Sequence, residues 1–337
     1  MSIIFLILML ALVCSIKFTK QFNIDFLNKK NTTIVNGFFL LLVFLSHISG
    51  YYKFNSNFDY HYNLIRSVMG QTVVVTFLFF SGYGVMESIC NKPMYMHTFL
   101  KNRPLKLLVH FDIAVTIFLI INWFIGRNIV LKQYILALTT WGGIGNSNWY
   151  ITCIICCYIF SFICYHSAKG NVKGPAFYIL LISLCLNYMF LLSKYRSYYW
   201  YDTILCYPLG VLFSIYKENI KEFFKSDKHY LLVCGGVIMI CVISFMYSKR
   251  FIPRVVFELS FCLSIVFLMM HMKFKSSFFE YIGENLFGIY ILQRVPMMFF
   301  KATGAFDNKY IYVVTCFLVT LLINELFKKL LKLIKFE

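Results

Sequence analysis

Residues 34–52 read Ile34-Val35-Asn36-Gly37-Phe38-Phe39-Leu40-Leu41-Leu42-Val43-Phe44-Leu45-Ser46-His47-Ile48-Ser49-Gly50-Tyr51-Tyr52. No formally charged side chain interrupts the stretch, and its apolar residues run on continuously rather than alternating. Crossing a hydrocarbon core takes about 20 helical residues, so this segment is long enough to span a membrane as a helix. A strand reading fails, because spanning strands alternate and persist only in closed barrels. Asn36 and His47 sit inside the run, where lipid makes polar side chains costly and therefore informative.

The same pattern recurs along the chain. Apolar runs cover 2–16, 34–52, 70–89, 105–125, 148–166, 176–192, 203–216, 230–247, 252–271, 280–300 and 310–327, of which 203–216 is short. The fold class expected is all-α: a polytopic membrane helix bundle of eleven transmembrane helices. Composition agrees, since 60% of the 337 residues are hydrophobic and 14% charged, with a mean hydropathy of +0.72; a soluble chain of this length needs more polar surface. Aromatics crowd the span ends, as in Tyr51-Tyr52 and Tyr198-Tyr199-Trp200-Tyr201, as interfacial belts do. The first run lacks a basic region before it, its charges Lys17 and Lys20 following instead, so it reads as a retained helix rather than a signal peptide. No linker divides the chain. The organisation expected is an N-terminal helix with a basic loop over 1–30, a membrane domain over 31–327 and a basic tail over 328–337.

The net charge of +18 points to the bilayer and not to nucleic acid. With eleven spans, one set of alternate loops plus the C-terminus carries 20 of the 32 Lys and Arg, including Lys29, Lys30, Lys101, Arg103, Lys106, Lys217, Lys221 and Lys328. Basic loops stay in the cytoplasm, which places the N-terminus outside and the C-terminus inside, the basic tail resting on anionic lipid. Most of the 12 cysteines lie within apolar runs, where Cys behaves as a small hydrophobe. Cys153, Cys156 and Cys157 invite a metal reading, but no second Cys pair or His cluster completes a tetrahedral site, so no metal is expected.

His47 is the most informative polar residue. If its span enters from the cytoplasm near Ile34, a rise of about 1.5 Å per residue puts it in the outer half. A neutral imidazole there can take a proton from an alcohol; the alternative is a histidine hydrogen-bonded between helices.

Several segments together resemble the acyltransferase-3 family of integral-membrane acyltransferases. Members open with Arg, ten residues, then His; here ten residues lie between Asn36 and His47. Phe77-Leu78-Phe79-Phe80-Ser81-Gly82 resembles the family's Phe-Phe-x-x-Ser-Gly segment, and Arg103 with Lys106 resembles its cytoplasmic Arg-x-x-Arg. Asn148-Trp149-Tyr150 opens a helix like the family's Trp-Phe segment, and Gly283 to Gln293 is similar to its Gly…Ile-Tyr-x-x-His stretch. The resemblance covers roughly 30–327, a ten-helix core behind one additional helix. Asn36 for Arg, Lys106 for Arg, Leu286 for Ser and Gln293 for His mark a divergent member.

The resemblance implies an O-acyltransferase that moves an acyl group, acetyl being the first expectation, from cytoplasmic acyl-CoA to a hydroxyl of an extracytoplasmic carbohydrate. Acetyl-CoA or another acyl-CoA is then a donor substrate, with no permanently bound cofactor. His47 is the general base. Glu258 has a depth compatible with orienting it, or else pairs with Arg254 one turn back. Arg103 and Lys106 are either phosphate anchors for acyl-CoA or ordinary flanking charge, with Asn36 and Ser81 also on the donor side. Ser81-Gly82 alternatively serves close helix approach. Trp149, Tyr150, Tyr290 and Gln293 are assigned to the acceptor side, Trp149 alternatively as an interface anchor. Asn36, Gln293 or a backbone amide could donate to the oxyanion. Two other classes share the helices and basic loops: a transporter or flippase for a lipid-linked glycan, and a non-catalytic membrane assembly protein.

Overall fold

The computed structural model describes residues 1–334. In chain order its helices and strands are α1 (Ser2–Ser15), β1 (Ile16–Phe18), α2 (Lys29–Ile48), α3 (Tyr60–Met69), α4 (Val75–Asn91), α5 (Lys106–Phe124), α6 (Leu131–Leu138), α7 (Trp149–Ser167), α8 (Pro175–Ser193), α9 (Cys206–Ile215), α10 (Lys217–Phe223), α11 (Asp227–Met246), α12 (Phe251–Met269), β2 (Met272–Phe274), α13 (Ser277–Glu284), α14 (Leu286–Leu292), α15 (Arg294–Thr303) and α16 (Lys309–Leu333). Among the described residues, eight helices are long and apolar enough to cross a membrane: α2, α4, α5, α7, α8, α11, α12 and α16. The last residues of the expected basic tail, including Lys335, lie outside the described residues.

The three other expected spans take a different form. Segment 2–16 is the 14-residue α1, and 203–216 contains the 10-residue α9. Segment 280–300 is not one helix but three, broken at Asn285 and Gln293. Pro296 explains the second break, because it has no N–H to give to the carbonyl of Leu292 one turn back. At the first, Asn285 Nδ2 donates to the Tyr281 carbonyl at 2.8 Å and its Oδ1 accepts from Asn324 Nδ2 at 3.0 Å. Such partners re-satisfy polar groups that a break would otherwise leave bare in lipid.

The continuous apolar runs left no place for strands, yet β1 and β2 pair antiparallel, Lys17 opposite Lys273. The ribbon lies among the basic loops, not in an apolar run. Those loops meet at one end of the bundle, where Lys29, Arg103, Lys217 and Lys221 line a single cavity. At the other end, Asp59 ties α3 to α16: its carboxylate accepts from Lys309 Nζ at 2.8 Å and Ser56 Oγ at 2.8 Å. Burial by itself would raise the Asp59 carboxyl, but hydrogen bonds from Lys309, the Met1 amino group and Ser56 outweigh it and hold the group well below the usual carboxylate range.

Two backbone contacts set the helix packing. A Cβ on Gly82 would lie 2.2 Å from the Tyr207 carbonyl oxygen, and one on Gly210 would lie 2.0 Å from that of Phe79. A Cβ on Gly37 would lie 2.0 Å from the Phe279 oxygen, and one on Gly283 at 2.0 Å from that of Thr33. So α4 touches α9, and α2 touches α13, backbone to backbone, which small residues alone permit. As the structure uses it, Gly82 of the Ser81-Gly82 pair serves helix approach. Helix α2 is the centre of the bundle, 72% of its apolar window being buried, against 11% for α11.

Gly210→Ala forces two backbones apart and should cost about 1–3 kcal/mol through overpacking. Thermal unfolding in detergent should show a lowered midpoint. Gly235→Ala, whose Cβ meets nothing within 4 Å, should not lower it; equal midpoints for the two variants would remove the contact's assigned role.

Candidate functional site

Helix α2 presents one stripe to the interior. Thr32, Asn36, Val43 and His47 recur at helical spacing on it, and the two ends of that stripe reach two separate cavities. Thr32 lines a cavity at the basic end, and Val43 and His47 line one at the other end. Asn36 lies one turn beyond Thr32, half-buried, with its Oδ1 buried and unpartnered. Eleven residues at about 1.5 Å each separate Asn36 and His47 by roughly 16 Å along the axis.

The cavity at His47 measures about 180 Å³ and is bounded by Ser46, Gln71, Trp149, Tyr199 and Tyr290. Helix α14 brings Tyr290 to His47, ring centroids 6.3 Å apart. Tyr150 packs edge-on against Tyr290 at 5.4 Å, and Trp149 meets Tyr199 at 6.2 Å. The His47 Nδ1 is buried without a hydrogen-bond partner. Gln293 is fully buried at the α14–α15 break, its Nε2 donating to the Tyr290 carbonyl at 2.9 Å. The next residue, Arg294, donates from Nε to the Tyr51 hydroxyl at 2.9 Å. Of the acceptor-side residues expected, Trp149 and Tyr290 therefore share a cavity with His47, while Tyr150 and Gln293 pack behind Tyr290.

Glu258 is placed differently from the sequence expectation. Its Oε1 accepts from Thr72 Oγ1 at 3.1 Å, and it does not line the His47 cavity. The side chain leaves α12 toward Thr72, in the turn that leads into α4. Nor does it form an ion pair with Arg254, which donates to the Ser248 and Lys249 carbonyls at 2.9 and 3.1 Å and lies 3.9 Å over the Tyr198 ring. Close to Glu258 is Asp202, whose Oδ2 accepts from Gln71 Nε2 at 2.7 Å. Burial pushes the Asp202 carboxyl up to about 7, against the opposing pull of the Gln71 hydrogen bond and of Arg254.

The cavity at the basic end is larger, about 570 Å³, and Lys29, Ser81, Tyr83, Gly84, Arg103, Lys217 and Lys221 all line it. Ser81 Oγ and the Tyr158 hydroxyl share a hydrogen bond of 2.9 Å. Arg103 donates from Nε to the Tyr95 hydroxyl at 2.9 Å; it is held by the wide π-type turn Lys101–Leu105 around Pro104. Glu87 accepts from Lys217 Nζ and Ser214 Oγ, each at 2.6 Å. Lys106 is exposed and does not line this cavity, because it sits just beyond the π-type turn. Lys217 and Lys221 take the place expected for it. Their four-residue spacing on α10 was the available signal, but in the sequence they read as topology charges.

Between the two cavities the interior is closed by aromatic side chains. Val74, just before α4, belongs to one cavity and Ser81 on α4 to the other, and the buried Phe77 between them packs on Tyr150 at 6.1 Å. The arrangement has a cationic chamber at one end, an imidazole chamber at the other, and packed aromatic rings between.

A family model described as an acyltransferase domain matches residues 34–324. No curated protein and no solved structure matches the chain.

Because Glu258 bonds Thr72 and not His47, Glu258→Gln should keep turnover within about threefold, whereas losing a carboxylate that orients a catalytic base costs up to about 10⁴-fold. Steady-state kinetics on the purified variant checks this; a loss of about 10³-fold or more would return Glu258 to the His47 relay.

Proposed function

This chain belongs to the acyltransferase-3 family, and from that premise we propose that it moves an acyl group, acetyl first, from acyl-CoA to a carbohydrate hydroxyl across the membrane. The observation that carries the reading is the single stripe of α2 with a cationic cavity at one end and His47 in a cavity at the other. In this reading the bundle crosses the membrane eleven times with the basic end in the cytoplasm, following the excess of Lys and Arg there.

Acyl-CoA is a polyanion that enters from the basic end. Arg103, Lys29 and Lys221 hold its phosphates, the arginine through its fork and the lysines as point charges. Its pantetheine arm lies along Ser81 and Asn36, and the rings of Phe77 and Tyr150 turn aside to admit the thioester toward His47. The carbohydrate enters from the other end and stacks against Trp149. His47 takes the proton from the attacking hydroxyl as the oxygen–carbonyl bond forms. The tetrahedral oxyanion then collapses, the carbon–sulfur bond breaks, and the departing thiolate takes that proton from the imidazolium. The Tyr290 hydroxyl, which lines the His47 cavity, supplies the oxyanion donor.

Arg103→Ala with Lys221→Ala should raise the KM for acetyl-CoA by about tenfold or more, as loss of phosphate contacts worth roughly 1.5–3 kcal/mol each predicts. Lys106→Ala should leave that KM unchanged, and an unchanged KM in the double variant would make the basic residues topology signals alone.

His47→Gln keeps volume and some hydrogen bonding but cannot take the proton at neutral pH. Its turnover should fall by about 10²–10⁴-fold, the usual cost of a lost general base, while CoA binding measured by calorimetry persists. Near-normal turnover would place the base elsewhere.

A further inference from the structure

Gln71 and Asp202 have no part in the reaction as described. Gln71 stands in the turn between α3 and α4, next to Gly70, whose φ of +36° and ψ of −123° are backbone values that L side chains rarely adopt. That turn lays Gln71 on the wall of the His47 cavity. Its Nε2 donates to Asp202 Oδ2 at 2.7 Å, and Asp202 is 1% exposed. The loop that carries Asp202 also supplies Tyr199 to the same cavity.

A carboxamide has one donor end and one acceptor end, so an oxygen of residue 202 that accepts from the donor end decides which end is left. The end left is Oε1, which has no hydrogen-bond partner among the described residues. Gln71 nonetheless lines the His47 cavity while its Nε2 is held by Asp202. Asp202 is also costly to keep: its Oδ1 and the Glu258 Oε2 are both buried and unpartnered, and burying such groups is unfavourable. The cavity thus offers three things beside the imidazole: an acceptor oxygen fixed in direction, and the rings of Trp149 and Tyr199, 6.2 Å apart. Aromatic faces pack the C–H faces of a polyhydroxylated ring, and a fixed acceptor takes one of its hydroxyl protons.

We propose that Gln71 is an acceptor-binding residue that takes a hydrogen bond from a second hydroxyl of the ring bearing the reacting hydroxyl, with Asp202 as the positioning residue that keeps Oε1 turned into the cavity. The proposal rests on the O-acyl transfer reading and assigns it a sugar ring with neighbouring hydroxyls as acceptor. Water, the competing acceptor, needs no such orientation, so Gln71 governs how the acyl group divides between sugar and water.

The test uses the full chain in detergent with labelled acetyl-CoA and methyl α-glucoside as probe acceptor. The readout is the ratio of acetyl transferred to acetyl hydrolysed, which does not depend on how much folded protein is present. Gln71→Leu should lower this ratio by about tenfold, the effect of one lost hydrogen bond. Asp202→Ala should lower it likewise, and Asp202→Asn, whose side-chain oxygen still accepts from Gln71 Nε2, should restore it to within about threefold. The double variant Gln71→Leu with Asp202→Ala should be no worse than Gln71→Leu alone, as expected of residues acting through one contact. An unchanged ratio in Gln71→Leu overturns the proposal, as does an Asp202→Asn variant as poor as Asp202→Ala. A wild-type protein that hydrolyses the donor but transfers nothing to the glucoside overturns the sugar-ring assignment. Donor turnover that is absent, or unaffected by His47→Gln, overturns the transfer reading itself and the proposal with it.

Discussion

The backbone contact between α2 and α13 fixes more of this molecule than any side-chain bond. In lipid, helices gain little from burying apolar surface against each other, so close packing of small residues has to hold them. Gly37 and Gly283 let two backbones meet with no room for a Cβ on either. Gly37 adjoins Asn36, so the contact sets the rotation of α2, and a helix is stiff enough to carry that rotation to His47. The same contact anchors α13, which leads through the Asn285 break into α14 and Tyr290. The imidazole and the tyrosine ring beside it are thus placed by one meeting of glycines. The matching pair Gly82 and Gly210 does the same for α4, which carries Phe77 and Ser81.

Much of this was legible in the sequence, for a physical reason. Apolar runs long enough to cross lipid have few alternatives to a helix, so eight of the eleven expected segments could be read directly among the described residues, and the motifs named both His47 and Tyr290, whose rings the structure brings together. What a single helix's periodicity gives is a face, not its partner. Glu258 could therefore be given a depth but not a neighbour, since only the packing of α12 against α4 decides that it meets Thr72. Lys106 and Lys217 were equally basic in the sequence; only the turn at Pro104 and the placement of α10 separate an exposed lysine from one at the cavity. The broken tenth segment had cues in Asn285 and Pro296, but a high apolar content masked them.

The way the two cavities are kept apart follows from the same packing. A path open from end to end would let water and ions through the membrane. The barrier here is made of side chains, Phe77 against Tyr150 and Tyr150 against Tyr290. Rings can rotate while backbones stay fixed, whereas parting α4 from α9 would break the Gly82 and Gly210 contacts. The bundle is thus fixed by backbone contacts where it positions His47 and closed by side chains between its two cavities.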